Sequence, residues 1–222
     1  MSALRIEKFV HSCLTVSDGK TRLLFDPGRF SFIDGRVDPA ILRGADFILF
    51  THDHPDHLDV AALRSIVDHR PVQILAPGQV AERLRQAGFE AQTFTPGVKQ
   101  LGALQVRAIS VRHEPILAQE YPATCAFVVN DRFLNPGDSF DERLHRFAGI
   151  EALALPVMAP FLTELSAYEF AKAIRPRHVI PVHDGYARDY FLSQRYDVYE
   201  PYFEQAGMTF HRLEEPGAGI DL

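Results

Sequence analysis

Nine consecutive residues, Thr51-His52-Asp53-His54-Pro55-Asp56-His57-Leu58-Asp59, hold three imidazoles and three carboxylates. Packing that many ionisable groups together is unfavourable unless something binds them. Neutral imidazole and carboxylate are ligands for divalent ions such as zinc, manganese and iron. Two histidines one residue apart on an extended segment point the same way, so His52 and His54 can share one ion. Asp56 and His57 are adjacent, diverge, and suit a second ion nearby. Pro55 removes a backbone donor and stiffens the turn between the two pairs.

The cluster follows an apolar run, Phe47-Ile48-Leu49-Phe50, that reads as a strand over 46–50. Three more candidate ligands stand in the same relation to a strand. His113 follows an alternating segment over 104–111. Asp138 follows a hairpin of 124–130 and 132–135 that turns at Asn130-Asp131. His183 follows a short strand at 178–181. Side chains at strand exits on one sheet edge converge, as ligand sites in α/β architectures do. One pocket is therefore offered His52, His54, Asp56, His57, His113, Asp138 and His183. Seven ligands suit two divalent ions with one carboxylate bridging; zinc is the first expectation, with manganese or iron as alternatives.

The remaining elements frame that edge. The chain opens with a β-meander over 4–26 that turns at Ser17-Asp18-Gly19-Lys20, a strong hairpin signal. Residues 30–42 read as a loop with a short helix near Pro39. Asp59 can cap a helix in which Leu63, Ile66 and Val67 share a face. A strand at 72–76 and a helix around 80–87 follow, with Gly88 as its stop. Further on come strands between Phe89 and Val111, a helix over 141–147 and a buried strand at 151–155. Ser166 to Glu169 reads as a capping box opening a helix to Arg175. A long helix over 187–206, a strand at 208–213 and a frayed Pro-Gly-Ala-Gly tail complete the chain. No linker or repeat interrupts it, so 1–222 is read as a single domain.

Composition narrows the function classes. Of 222 residues, 46% are hydrophobic and 23% charged, ordinary for a globular chain. A formal charge of -6 supplies no basic footprint, which makes nucleic acid an unfavoured partner. Cys13 and Cys125 read as reduced, packed thiols. The amino terminus lacks a signal-peptide core and no run is long enough to span a bilayer, so a cytoplasmic protein with a small-molecule substrate is expected. A homo-oligomer stays open.

Thr51 to His57 matches the His-x-His-x-Asp-His motif of the metallo-β-lactamase superfamily, and His113, Asp138 and His183 stand in the order of its remaining ligands. His11-Ser12-Cys13 with Phe25-Asp26-Pro27-Gly28 resembles its small metal-dependent hydrolase branch, which includes ascorbate-6-phosphate lactonase-like proteins. The resemblance implies an α/β (α+β) fold, a four-layer αββα sandwich with the metals at one edge of two sheets. By the family pattern His52, His54 and His113 bind the first ion, Asp56, His57 and His183 bind the second, and Asp138 bridges. Asp26 matches an aspartate that orients a ligand histidine, and His11 is placed with it behind the ligands. The site's aspartate set is unlike the cysteine-bearing site of the best-known β-lactamases, which disfavours antibiotic hydrolysis. The short stretch after His183 disfavours a glyoxalase II-like thioesterase, and the lack of a long arm disfavours tRNA processing.

The expected enzyme is a dinuclear metal-dependent hydrolase of a small ester, lactone or phosphodiester. A hydroxide bridging the ions would attack the reactive centre, with Asp56 as the catalytic residue that accepts the nucleophile's proton. A nucleic-acid phosphodiesterase and a mononuclear iron oxygenase-type enzyme are the alternatives. His11, Arg29, Ser139, Phe161 and Tyr186 are near enough to line the mouth, with Phe161 and Tyr186 expected chiefly as packing. Asp184 reads as a turn former with Gly185. His69, His145, His178 and His211 are assigned structural or solvent roles.

Overall fold

The computed structural model describes residues 3–68 and 70–222, so His69 lies outside the described residues. The meander forms as expected: β1 (Arg5–Lys8), β2 (Leu14–Ser17) and β3 (Arg22–Phe25) pair antiparallel. Asp18 closes the first turn by accepting from the backbone N–H groups of Lys20 and Thr21. A one-turn helix α1 (Arg29–Phe32) follows. Strands β4 (Phe47–Leu49), β5 (Gln73–Ala76) and β6 (Ala91–Thr93) then extend the sheet in parallel, connected by α2 (Val60–Val67) and α3 (Gly78–Gln86). Asp59 caps α2 by accepting from Ala61 and Ala62 N–H.

The second sheet starts antiparallel with β7 (Gly97–Leu101), β8 (Leu104–Val111), β9 (Thr124–Val129) and β10 (Phe133–Asn135), and turns parallel through β11 (Ala152–Pro156), β12 (His178–Val182) and β13 (Thr209–Phe210). Helices α4 (Glu164–Ile174) and α5 (Asp189–Gln205) cover it. Each sheet has seven strands. Phe25, Phe127 and Phe133 sit in the apolar layer between the sheets. A second cluster joins the outer face of the β7–β13 sheet to Phe170 and Tyr196 of α4 and α5. A third joins the other sheet to Leu63 and Leu84 of α2 and α3. The layers are thus α-β-β-α, the expected sandwich. None of the described helices is long and apolar enough to cross a membrane.

Four local expectations need correction. The capping box lies three residues earlier: extended Thr163 accepts from Ser166 N–H, and Ser166 Oγ accepts from Thr163 N–H. Glu169 is inside the helix and pairs with Lys172 instead. Residues Glu142–Phe147 form a 3-10 segment, not an α-helix. The strand after α5 is shortened to Thr209–Phe210. The tail is not frayed: β14 (Ala218–Asp221) adds antiparallel to β1 as the edge of the first sheet. Gly219 permits this, because a Cβ there would lie 2.1 Å from the Ile6 carbonyl oxygen. Backbone ladder bonds order this edge, so no apolar pattern announces it. The cysteines are free and buried, and burial pushes both thiols up to about 12.

Candidate metal centre

Six strand exits meet on one edge of the sandwich. The β4 exit carries Thr51 to His57, the β8 exit His113, the β10 exit Asp138 and the β12 exit His183; the β3 exit carries Asp26 and the β11 exit Met158. Parallel pairing of β3 with β4, and of β10, β11 and β12 with one another, makes these exits share a direction. The structure gathers all seven expected residues into two groups that could hold metal ions. One is His52, His54, His113 and Asp138; the other is His11, Asp56, His57 and His183. In each, the ligand atoms lie within 4.8 Å of one another.

The spacing suits ions. Donors bound tetrahedrally at zinc–nitrogen distances stand roughly 3.4 Å apart. In the first group, His52 Nε2 is 3.0 Å from His54 Nδ1 and 3.6 Å from Asp138 Oδ2, which is 3.7 Å from His113 Nε2. In the second, His183 Nε2 is 3.4 Å from Asp56 Oδ2. Asp138 reaches this group too: Oδ2 is 3.0 Å from His183 Nε2 and Oδ1 is 3.3 Å from His57 Nε2.

The far nitrogens explain why the near ones are available. His113 Nδ1–H donates to the Glu114 carbonyl and His183 Nδ1–H to the Met158 carbonyl, each at 2.6 Å. His57 Nδ1–H donates to Asp26 Oδ2 at 3.0 Å. Thr51 Oγ1 spends its proton on Asp26 Oδ2 at 2.7 Å and then accepts from His52 Nδ1–H at 3.0 Å. Each bond fixes the ring so that Nε2 is the atom that faces the cluster. Of these atoms, the buried His57 Nε2, His113 Nε2 and Asp138 Oδ1 have no hydrogen-bond partner. Buried polar atoms left unpaired are costly, and a divalent cation is the partner their chemistry fits.

His11 has the opposite tautomer. Its Nδ1 accepts from Gly185 N–H at 3.0 Å, so Nε2 carries the proton and donates to Asp56 Oδ2 at 3.1 Å. That geometry places His11 behind Asp56 as a donor. Its own pKa falls to about 3, through burial and then the charge of His183. Asp26 accepts from Thr51 N–H, Thr51 Oγ1 and His57. Its hydrogen bond to His57 is the contact an orienting aspartate would make; Thr51, through which it also reaches His52, carried no signal in the sequence beyond adjacency to the cluster.

Ser139 does not line the mouth: it is buried and donates to the Arg112 carbonyl at 2.6 Å. Asp184 is more than a turn former, since its buried carboxylate accepts from Lys8 Nζ and from Tyr196 OH. This pins the loop that holds His183, whose backbone sits in the left-handed region at φ 64. His178 and His211 hydrogen-bond each other at 3.0 Å and His145 packs near Phe170, all away from the cluster.

Electrostatics separate the two groups. Burial leads in holding His52 and His54 low, and neighbouring imidazoles add to it. Burial opposes but the Asp138 charge overcomes it at His183, which is raised to about 9, and at His57, also raised, where Asp26 assists. Without an ion His183 therefore holds a proton at neutral pH, and an ion must displace it. Zinc titrated into chelator-treated protein at pH 7 is expected to release protons, and its affinity to rise with pH until about 9. Calorimetry in buffers of different ionisation enthalpy measures the release; a zero proton count would contradict this picture.

A cleft of about 730 Å³ opens over His54, Asp56, His113, Asp138 and His183. Arg29, Phe161 and Tyr186 line it, as expected, joined by Phe30, Ile33, Ile116 and Pro160.

Comparison with known proteins agrees with this architecture. Residues 5–183 match the family described as the beta-lactamase superfamily domain. Protein Rv0786c of Mycobacterium tuberculosis is 31% identical over 192 residues, covering 82% of this chain and 84% of that one. A UPF0173 metal-dependent hydrolase of Opitutus terrae is 29% identical over 197 residues, covering 81% and 84%. Among solved structures, the metallo-beta-lactamase fold protein YhfI of Bacillus subtilis superposes with a TM-score of 0.74 at 15% identity, over 100% of both chains. With its histidines and aspartates at the strand exits of an αββα sandwich, this chain belongs to the metallo-β-lactamase superfamily.

Proposed function

We propose that the protein is a dinuclear metal-dependent hydrolase of a small ester, lactone or phosphodiester. The observation that carries this reading is the pair of four-residue groups, with Asp138 of the first within 3.3 Å of His57 and His183 of the second and with buried His57 Nε2, His113 Nε2 and Asp138 Oδ1 unpartnered between them. His52, His54 and His113 would hold one ion and Asp56, His57 and His183 the other, with Asp138 between. Bound there, two ions supply Lewis acidity and an acidified water. The hydrolase name of the Opitutus terrae relative supports the same class.

Asp56 is the proposed proton acceptor. Its side chain is 19% exposed while that of Asp138 is 2% exposed, so of these two carboxylates it is the accessible one. Burial opposes ionisation, but hydrogen bonds from His11 and His183 hold its carboxyl far below the usual range. Such a carboxylate takes a proton briefly and releases it readily, which suits passing it to a leaving group. The cleft is small-molecule in scale and the chain is acidic, which sets nucleic acid aside.

Protein purified without chelator is expected to carry about two divalent ions per chain and to hydrolyse members of a panel of lactones, esters and bis-p-nitrophenyl phosphate. Elemental analysis and the panel test this together. One iron per chain with no hydrolysis would overturn it in favour of an oxygenase-type site.

A further inference from the structure

We infer that Arg29 anchors a carboxylate at the far end of an otherwise apolar substrate, so that the preferred substrates are esters or lactones with a hydrocarbon body and a free acid group. The inference rests on the hydrolase reading for the reacting bond, but not for the binding preference. Three observations carry it.

The first is the wall of the cleft. Outside the candidate ligands and Arg29 it is built from Phe30, Ile33, Pro55, Ile116, Pro160, Phe161 and Tyr186. The one hydroxyl among them is already used, since Tyr186 OH donates to the Met158 carbonyl at 2.7 Å. Tyr186 therefore presents its ring, packed edge-on to Phe30 with centroids 5.4 Å apart. A surface with no free polar group selects hydrocarbon.

The second is the charge of Arg29. It is the one arginine or lysine among the lining residues, and its guanidinium has no hydrogen-bond or ion-pair partner among the described residues. Arg36, nearby in sequence, is by contrast committed to the Gly185 carbonyl at 2.6 Å. A guanidinium presents a planar fork matched to a carboxylate.

The third is that Arg29 is held in place relative to the metal ligands. Its backbone N–H donates to the Pro55 carbonyl at 2.9 Å. Gly28 lies so close to Asp56 that a Cβ there would be 1.8 Å from the Asp56 carbonyl oxygen. The start of α1 is thus locked onto the loop that bears Asp56 and His57, and the backbone of Arg29 is fixed beside the cleft its residue lines. A singly charged carboxylate matches one guanidinium.

The test is binding to zinc-loaded protein, compared between octanoate and octanedioate, each extended to its homologous series from butanoate and butanedioate upward. In both ligands one carboxylate can face the ions; only the diacid has a second. Calorimetry is expected to show the diacid binding at least tenfold more tightly at its best length, as one charge-assisted hydrogen bond supports. Arg29→Met and Arg29→Ala should erase that advantage while leaving monoacid affinity within about twofold. Equal affinity of diacid and monoacid in the unaltered protein, or an advantage that survives both variants, overturns the assignment. Failure of the hydrolase reading is separate: no p-nitrophenyl ester of the series would be cleaved, while the diacid preference and its dependence on Arg29 would remain.

Discussion

Asp138→Ala is expected to lower metal content below two ions per chain and to cut hydrolysis by roughly three orders of magnitude. Asp138 is 1% exposed, and its oxygens stand 3.0 to 3.7 Å from the Nε2 atoms of His183, His57, His52 and His113. Among the described residues it is the one carboxylate with ion-pair distances to members of both groups. Removing it leaves the Nε2 atoms of His52 and His113 without their carboxylate partner, and those of His57 and His183 with Asp56 alone. Truncating one partner of a buried charged set costs about 3–5 kcal/mol, and about 4 kcal/mol is nearly a thousandfold in an equilibrium constant. The metal-free variant is affected as well, because the Asp138 charge is what raises His183 and His57 against burial. Asp138→Asn keeps the shape and loses the charge, so it separates cavity formation from electrostatics. Elemental analysis beside an activity assay reads both quantities. Full metal content and activity in Asp138→Ala would show that this carboxylate does not join the two ions.

Legibility in the sequence followed the range over which each feature is encoded. The ligands were readable because each stands just past an apolar strand, a relation contained within a dozen residues of chain. The meander, the Asn130-Asp131 turn with both residues at φ 52, and the Asp59 cap were readable for the same reason. What positions the ligands was not. Lys8 meets Asp184 across 176 residues, and the Met158 carbonyl that fixes His183 is a backbone atom with no side-chain signature. Nothing local distinguishes a lysine that will be buried in an ion pair from one that faces water. The helix cap failed differently. Thr163 and Ser166 are both competent caps, and extended backbone at Thr163 decides between them. The tail strand is ordered by backbone pairing against β1, which a glycine-rich segment cannot advertise in its pattern.

Asp26→Ala is expected to destabilise the protein by about 3–5 kcal/mol and to weaken metal binding about 10–100-fold. Asp26 is fully buried and accepts three hydrogen bonds, from Thr51 N–H at 2.8 Å, Thr51 Oγ1 at 2.7 Å and His57 Nδ1 at 3.0 Å. Alanine abandons all three donors in a dry site. It is also disfavoured by the backbone, since Asp26 sits at φ 45, a left-handed conformation aspartate tolerates better than most residues. The effect on metal follows a separate route. Freed of Oδ2, His57 Nδ1 loses the bond that keeps its Nε2 pointed at Asp138, and Thr51 Oγ1 loses the acceptor that turned its own lone pairs toward His52. Urea unfolding and a chelator competition measure the two losses independently. Thr51→Val retains the carboxylate–His57 bond and removes the link to His52, so it should weaken metal binding less than Asp26→Ala. If the two act through one network, the double variant will lose less than the sum of the singles. An Asp26→Ala protein with an unchanged urea midpoint and unchanged metal affinity would mean that the ligand histidines are held by their own packing, and that the buried carboxylate is incidental to the site.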